Sequence, residues 1–348
     1  MPIHSPLQLQ HFAEAILRAG GATASESRRV AEALVDANLR GFESHGVMRI
    51  PSYIDRLADR TVRAGAPLQI LKESPTHLVC DGQWGFGQVL AEELTLRLCE
   101  MAKQSGHAIG TLHSAGHIGR LGEYCEMAAK QNLVSLIMVN THGSARRIAP
   151  PGGKAPRLGT NPLALGAPHG DSPVILDFST SVTAEGKVRV KRISGELCPD
   201  GWLLDSEGRP TNDPNSLYGN PPGSILPMGG AQAYKGFGLA LMVDIFAGAI
   251  TGAYCAREKP VSPIGNAVFM MILDPAHFGG AEHFKQEVEL LVETVRNTPR
   301  IEGVEKITLP GDPERANLER MSREGVEIDD ENWAALAACA LKLGVAIP

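Results

Sequence analysis

Cysteine is sparse and scattered: Cys80, Cys99, Cys125, Cys198, Cys255 and Cys339 include no CxxC pair. That excludes a zinc knuckle and a disulfide framework, and reduced thiols in a cytoplasmic protein are the simplest reading. Aromatic residues make up only 5% of the chain, with indoles at Trp84, Trp202 and Trp333, and no basic run occurs. At a net charge of -6 the chain lacks the basic, aromatic-interleaved surface that tracks nucleic acid. The segment from Met1 to Phe12 has neither the basic n-region nor the apolar h-region of a secretory signal. One stretch, Tyr234 to Ala253, is almost continuously apolar, but Asp244 near its middle and Gly238, Gly248 and Gly252 predict a buried core helix and no membrane span.

What is present is a globular chain of 348 residues, 43% hydrophobic and 21% charged, long enough for two or more lobes with a cleft between them. Ser5 followed by Pro6 predicts the start of a helix whose apolar face, Leu9, Phe12, Ile16 and Ala19, stops at Gly20-Gly21. Thr23 and Glu26 have capping-box spacing ahead of Val30, Ala33, Leu34 and Ala37, a second helix that ends by Gly41. From about residue 75 the pattern turns α/β. It reads as a strand at 77–80, a glycine loop at 81–87, a helix ending at Gly106, an extended 107–112, a helix over 119–131 and strands at 134–139 and 174–178. Loops span 140–173 and 194–230; the apolar helix, a strand at 267–273 and a helical C-terminal region complete the chain. The regions divide at 1–74, 75–280 and 281–348.

Several motifs are tested by their spacing. Gly85-Phe86-Gly87 follows a strand and precedes a helix, but Leu90 stands where GxGxxG needs its third glycine, and Gly236-Phe237-Gly238 fails likewise at Leu241. Gly186-Lys187 is no P-loop, because Ser181 occupies the first glycine position and Val188 replaces Ser or Thr. His113 and His117 would face one way on a helix, yet no third metal ligand can be named, so His117 reads as an acid–base group, a cofactor contact or a core histidine. The run Gly159-Thr160-Asn161-Pro162 offers N–H groups and a hydroxyl to an anion, or is an ordinary turn. In Ser44-His45-Gly46-Val47-Met48-Arg49, a helical turn would put His45 and Arg49 on one face. An imidazole for proton transfer would then stand beside a guanidinium fork for a carboxylate; the alternative is a solvated surface pair.

Together these segments resemble the malate/L-lactate dehydrogenase type 2 family. The blocks are Ser44-His45-Gly46-Val47, Asp81-Gly82 with Gly85-Phe86-Gly87-Gln88, His117-Ile118-Gly119-Arg120-Leu121-Gly122, 158–164, 176–181, 235–241 and Leu309-Pro310-Gly311-Asp312. The His-Ile-Gly-Arg run, the 274–279 segment and the late Pro-Gly-acid look most like the hydroxycarboxylate dehydrogenase B branch.

The resemblance implies a non-Rossmann α/β fold that binds a nicotinamide cofactor, NAD with NADP possible, a mainly helical region built from both chain ends, and a homodimer. It implies that His45 donates and accepts the proton with Ser44 tuning it, that His117 lies near the nicotinamide, and that Arg49 and Thr160 hold the carboxylate of a small 2-hydroxy or 2-oxo acid. It carries cofactor contact onto His45, onto Gly119, Arg120 and Leu121, and onto Ile175, Leu176, Asp177, Phe178 and Ser179. Tyr234, Lys235, Asn266, Gly311, Asp312, Pro313 and Glu314 complete that set. Two positions depart from the pattern. Relatives commonly carry His where this chain has Tyr234, and relatives that reduce cyclic imines carry Asp where it has Lys187. The second departure favours hydroxy-acid chemistry over imino-acid reduction, the enzymatic alternative; a non-catalytic dimer that binds a nucleotide or metabolite is the other.

Overall fold

The computed structural model describes residues 2–348. A short strand β1 (Ile3–His4) leads into α1 (Pro6–Ala19), where Ser5 Oγ accepts a hydrogen bond from the Gln8 N–H at 3.2 Å. α2 (Ala24–Leu39) opens on the expected capping box: Glu26 Oε2 accepts from the Thr23 N–H at 2.9 Å, and Thr23 Oγ1 from the Glu26 N–H at 3.3 Å. Two 3-10 turns, Glu43–His45 and Val47–Arg49, then enter α3 (Ile50–Ala58).

The α/β body follows as β2 (Gln69–Ser74), β3 (His77–Asp81), α4 (Gly87–Ser105), β4 (His107–Ala115), α5 (Gly122–Ala129), β5 (Val134–Asn140), β6 (Leu163–Ala167) and β7 (Val174–Phe178). A small excursion holds α6 (Glu185–Ile193), β8 (Leu203–Leu204), β9 (Pro210–Thr211) and β10 (Ser224–Ile225). α7 (Ala233–Asp244) continues as a π-helical segment, Ile245–Ile250, before β11 (Asn266–Leu273) returns to the body. The chain ends with α8 (Ala281–Arg296), α9 (Asp312–Glu324), β12 (Val326–Glu327) and α10 (Asp330–Lys342).

Seven strands form the main sheet in the order β2-β3-β4-β11-β5-β6-β7. Only β3 and β4 run parallel; every other neighbouring pair is antiparallel. β11 sits mid-sheet, and its unbroken apolar run fits a strand covered on both faces. Leu90, Leu94, Leu98, Tyr124, Ile137 and Met270 belong to the core between this sheet and α4 and α5. A second core joins the two chain ends, packing Leu9, Phe12, Ile16 and Leu34 with Val326, Leu336 and Ala340, while β1 pairs antiparallel with β12. A third, small core of Val188, Cys198, Leu203, Leu217 and Ile225 steadies the excursion that carries α6.

The structure differs from the sequence expectation at five places. The loop expected over 140–173 contains β6, whose alternation is shortened by Gly166. The sheet begins at Gln69, inside the region assigned to N-terminal helices, because β2 is a mostly exposed edge strand without an apolar signature. α6 lies where only a failed P-loop was read. His113 is on strand β4, so it shares no helix face with His117, and a helical metal pair is ruled out. The apolar helix is only partly buried: Leu241, Met242, Ile245 and Ile250 are exposed. By length and composition alone, Gly230–Ile250 could cross a membrane, but buried Asp244 is tied by hydrogen bonds to the sheet body.

Candidate active site

The turn after α2 folds as it does because Gly46 lets the backbone lie against Asn38. A Cβ at Gly46 would stand 2.1 Å from Asn38 Oδ1, the oxygen that accepts the Val47 N–H at 2.8 Å. Gly46 is extended, with φ -88° and ψ -160°, so the expected single helical turn is broken into two 3-10 turns. The pairing survives by another route. Arg49 Nε donates to the Ser44 carbonyl at 2.6 Å, folding the guanidinium back so that its charge acts on His45.

His45 meets His117 across the site, with ring centroids 5.3 Å apart and planes inclined by 26°. Ser44 Oγ lies 3.1 Å from His45 Nδ1, leaving Nε2 for a ligand. On the other ring, Tyr53 Oη lies 2.7 Å from His117 Nδ1 and accepts the Gln88 Nε2–H at 2.9 Å. With Gln88 as donor to Tyr53, the phenol proton goes to His117 Nδ1, and neutral His117 keeps its own proton on Nε2. Burial, then the charges of Arg49 and Arg120, push the His45 pKa down to about 3, and burial and Arg49 hold His117 well below its usual range. Both imidazoles are therefore neutral at pH 7, ready to accept or share a proton.

Thr160 is positioned from behind. Its carbonyl accepts the Thr180 N–H at 3.0 Å and the Thr180 hydroxyl at 2.9 Å. Next to it, Asn161 Nδ2 donates to the Ala240 carbonyl at 2.9 Å and to Asp244 Oδ1 at 3.1 Å. Asp244 also accepts from Asn140 Nδ2 at 3.2 Å and from the Ala256 N–H at 2.7 Å. The lone carboxylate of the apolar helix thus pins the turn that carries Thr160.

These groups open into a cavity of about 600 Å³, within the range of small-molecule sites. Ser44, His45, Met48 and Thr160 line one part of it; Leu121, Asp177, Phe178 and Ser179 come from the sheet body; Val182, Thr183, Ala184, Gly186, Lys187 and Val190 supply the α6 wall; Arg40, Glu314 and Asn317 lie on the far side. Burial lifts the Asp177 carboxyl to about pH 6, although its Oδ2 accepts the Gly122 N–H at 2.7 Å. Arg120 also reaches the wall, but its guanidinium is held by Asp36 at 3.1 Å and Glu126 at 2.9 Å. Glu314 Oε2, Arg120 Nε and Thr183 Oγ1 are buried polar atoms without a protein partner on residues of this wall, so the cavity has unmet capacity for a polar ligand.

Not every expected site residue reaches it. Arg49 and His117 sit beside His45 but off the cavity wall. Gly119, Ile175, Leu176, Gly311, Asp312 and Pro313 flank wall residues without lining the cavity. Tyr234 is 62% exposed, Lys235 is exposed beside it, and neither reaches the cavity. Asn266 is buried and committed to the Ile118 N–H at 3.0 Å and the Asn140 carbonyl at 3.0 Å. Tyr53, Gln88, Asn38 and Asp244 are site-building residues that the sequence reading missed. Tyr53 lies in the same block as His45, four positions past Arg49, and was the one a helical count could have found. A larger depression of about 810 Å³ between α8 and α9 holds Arg296 and Arg315, both paired to Asp312, and no acid–base pair.

Sequence and fold comparisons identify the family. The profile of the malate/L-lactate dehydrogenase family matches residues 5–337. The chain is 34% identical to an L-lactate dehydrogenase of Cupriavidus necator, over 97% of each chain. It is 33% identical to a malate/(S)-sulfolactate dehydrogenase of Methanothermus fervidus, over 99% of this chain and 98% of the relative. It is also 33% identical to hydroxycarboxylate dehydrogenase B of Escherichia coli K12, over 97% and 93%. Among solved structures, one described as a putative malate/lactate dehydrogenase from E. coli superposes with a TM-score of 0.93 at 32% identity, covering 99% and 96% of the two chains. A delta1-piperideine-2-carboxylate reductase from Pseudomonas syringae gives 0.84 at 29% identity, covering 98% and 100%. The chain belongs to the malate/L-lactate dehydrogenase family of hydroxy-acid dehydrogenases.

Proposed function

We propose that the chain interconverts a small 2-hydroxy acid and its 2-oxo acid with a nicotinamide coenzyme, NAD or NADP. The observation that carries this reading is the His45–His117 pair, neutral and desolvated, beside Arg49 at the edge of a cavity that also offers unpartnered polar atoms. Such a cavity fits a nicotinamide dinucleotide. Asp177 and Glu314 would accept ribose hydroxyls, Leu121 and Phe178 supply apolar wall, and Arg120 and Ser179 extend the contact, with Gly119, Ile175, Leu176 and Gly311 to Pro313 as the neighbouring backbone behind that wall. The bound nicotinamide supplies the hydride chemistry.

The chain's residues supply position and a proton. Arg49 grips the substrate carboxylate through two parallel hydrogen bonds, with the Thr160 hydroxyl as a further donor. In the oxidation direction His45 Nε2 takes the hydroxyl proton, while His117 Nε2–H shares the same oxygen. An arriving carboxylate also offsets the Arg49 charge that depresses His45, which brings the imidazolium needed for reduction within reach. Lys187 supports this reading over cyclic imine reduction, because it leaves no carboxylate at that position to relay a proton to His45.

A homodimer completes the proposal. The exposed apolar residues Leu241, Met242, Ile245 and Ile250 on the helical stretch that begins beside Tyr234 and Lys235 are suited to cover by a second copy, which would bring those two residues and Asn266's surroundings toward a shared site. The division at 1–74, 75–280 and 281–348 is proposed as three functional regions of one subunit in the cytoplasm, with β2 (Gln69–Ser74) belonging to the sheet of the central one. The test is a panel of 2-oxo acids and one cyclic imino acid, each with NADH and NADPH. Oxidation of coenzyme by 2-oxo acids alone supports the reading, and turnover of the cyclic imine alone overturns it.

A further inference from the structure

We infer that the N-terminus of α6 forms an anion subsite beside His45, built from the Thr183 hydroxyl, the Glu185 and Gly186 N–H groups and the Lys187 ammonium. The inference rests on the dehydrogenase reading for the source of the anion, not for the subsite itself. Its residues face the same cavity: Thr183, Ala184, Gly186 and Lys187 line it together with Ser44 and His45. α6 is a full helix of 9 residues, and no side chain caps it, since Ala184 at the N-cap position has none to offer. The Lys187 N–H is spent on the Ala184 carbonyl at 3.1 Å, while the Glu185 and Gly186 N–H groups and the positive end of the dipole are open to a ligand. Thr183 is 5% exposed, and its Oγ1 has no hydrogen-bond partner although the residue borders the cavity. A buried hydroxyl in that state is costly unless a ligand meets it.

Closeness to the reacting end comes from Gly186. A Cβ there would stand 2.6 Å from Ser44 Cβ, so glycine lets the first turn of α6 touch the residue next to His45. Positive charge without an ion-pair partner stands at the same place. Lys187 has no ion-pair partner among the described residues, and Arg189, two positions on, has a buried Nε without a partner. Carboxylates are near as well: Asp177 and Glu314 stand elsewhere on the same wall, and the Lys187 charge acts on Glu43. Glu43 shares the cavity wall, with a carboxyl pushed upward chiefly by burial; Glu185 is engaged by the Tyr218 hydroxyl at 2.6 Å and does not line the cavity. The ligand chemistry is a carboxylate, sulfonate or phosphate oxygen cluster. It can come from a second acidic group at the far end of the substrate, which would make the preferred substrates dianions, or from the coenzyme diphosphate.

The experiment has three arms with wild type, Lys187→Met and Thr183→Val. The first is calorimetric titration of inorganic phosphate into coenzyme-free protein. Affinity should fall about ten-fold in each variant, the worth of one charge-assisted hydrogen bond. Equal phosphate affinity in all three proteins overturns the subsite. The second arm compares oxaloacetate with pyruvate. If Lys187→Met raises the KM ratio of oxaloacetate to pyruvate about ten-fold, the anion is the second acid of the substrate. The third is fluorescence titration of NADH; a matching loss of NADH affinity, with both oxo acids affected alike, assigns the subsite to the diphosphate. If no 2-oxo acid is turned over while phosphate binding still depends on Lys187 and Thr183, the dehydrogenase reading falls and the subsite stands.

Discussion

His45 and His117 stack at 5.3 Å, yet each has its Nδ1 claimed by a different hydroxyl, Ser44 on one ring and Tyr53 on the other. Two equal imidazoles are thereby made unequal. His45, in the tautomer whose Nδ1–H donates to Ser44 Oγ, presents an Nε2 that can accept, and His117, accepting a hydrogen bond at Nδ1 from the Tyr53 hydroxyl that Gln88 orients, presents an Nε2–H that donates. One oxygen between them could lose its proton to the first while staying hydrogen-bonded to the second.

Tyr53→Phe tests that division. It removes the hydroxyl between Gln88 and His117 and frees the His117 tautomer, so kcat should drop about ten-fold, the equivalent of ~1.4 kcal/mol. NADH affinity, read by fluorescence, should hold within about two-fold, since a phenol hydrogen-bonded to His117 is assigned no coenzyme contact. Unchanged kcat would show that His117 needs no fixed tautomer.

Arg49 decides whether the site reads a carboxylate. Arg49→Lys keeps the charge and loses the planar fork, so kcat/KM for the oxo acid should fall; Arg49→Ala should lose at least ~30-fold, as for a buried charged hydrogen bond worth ~2 kcal/mol or more. The control is the methyl ester of the same oxo acid. Should ester and free acid suffer equally in Arg49→Ala, the guanidinium serves the Ser44 carbonyl it already holds and not the substrate.

Acid should destabilise the ligand-free protein, with a sign fixed by His45. Its folded pKa of about 3 lies below the ordinary 6.5, so the unfolded chain binds a proton that the fold refuses. Stability from this group is complete above pH 6.5 and is lost progressively as pH falls from there toward 3. His117 acts in the same direction. Asp177, raised from 3.8 to about 6, gains stability over that interval and opposes them. Urea midpoints for wild type and His45→Gln should therefore converge as pH drops from 7 to about 4, and parallel curves would contradict the desolvated imidazole.

A dimer that buries the exposed α7 face should dissociate on Met242→Lys, and activity should fall with it. Light scattering and dilution assays read both quantities. Full activity in a monomer would remove the second copy from the site.

Much of this was legible in the sequence because it was written in local rules. Ser5 and the Thr23–Glu26 box start their helices where read, and β5, β7 and β11 are the apolar runs that periodicity marks. His45, Arg49 and Thr160 were found through residue chemistry together with a family resemblance spanning the chain. What escaped was set by long-range packing. Gln88 reaches Tyr53 across 35 positions and Asp244 reaches Asn161 across 83, and no local window carries either bond. Asp244 was noticed only as a charge in an apolar helix. Its partners lie on β5 and beside Thr160, which is why a residue that argued against a membrane proves to hold the turn that carries Thr160. The exposed side of α7 was missed for a related reason: an apolar run reads as buried, and a run apolar all round gives no sign of which side faces the core.

The most direct test is coenzyme absorbance at 340 nm for wild type and His45→Ala with a panel of 2-oxo acids and Δ1-piperideine-2-carboxylate, alongside NADH titrations of both proteins. The expected result is 2-oxo-acid-dependent oxidation of NADH or NADPH by wild type, a kcat lower by ~10²–10⁴ in His45→Ala, and retained coenzyme affinity in that variant. Turnover confined to the cyclic imine, or a His45→Ala protein that keeps more than about a tenth of wild-type kcat, would contradict hydroxy-acid chemistry run through His45.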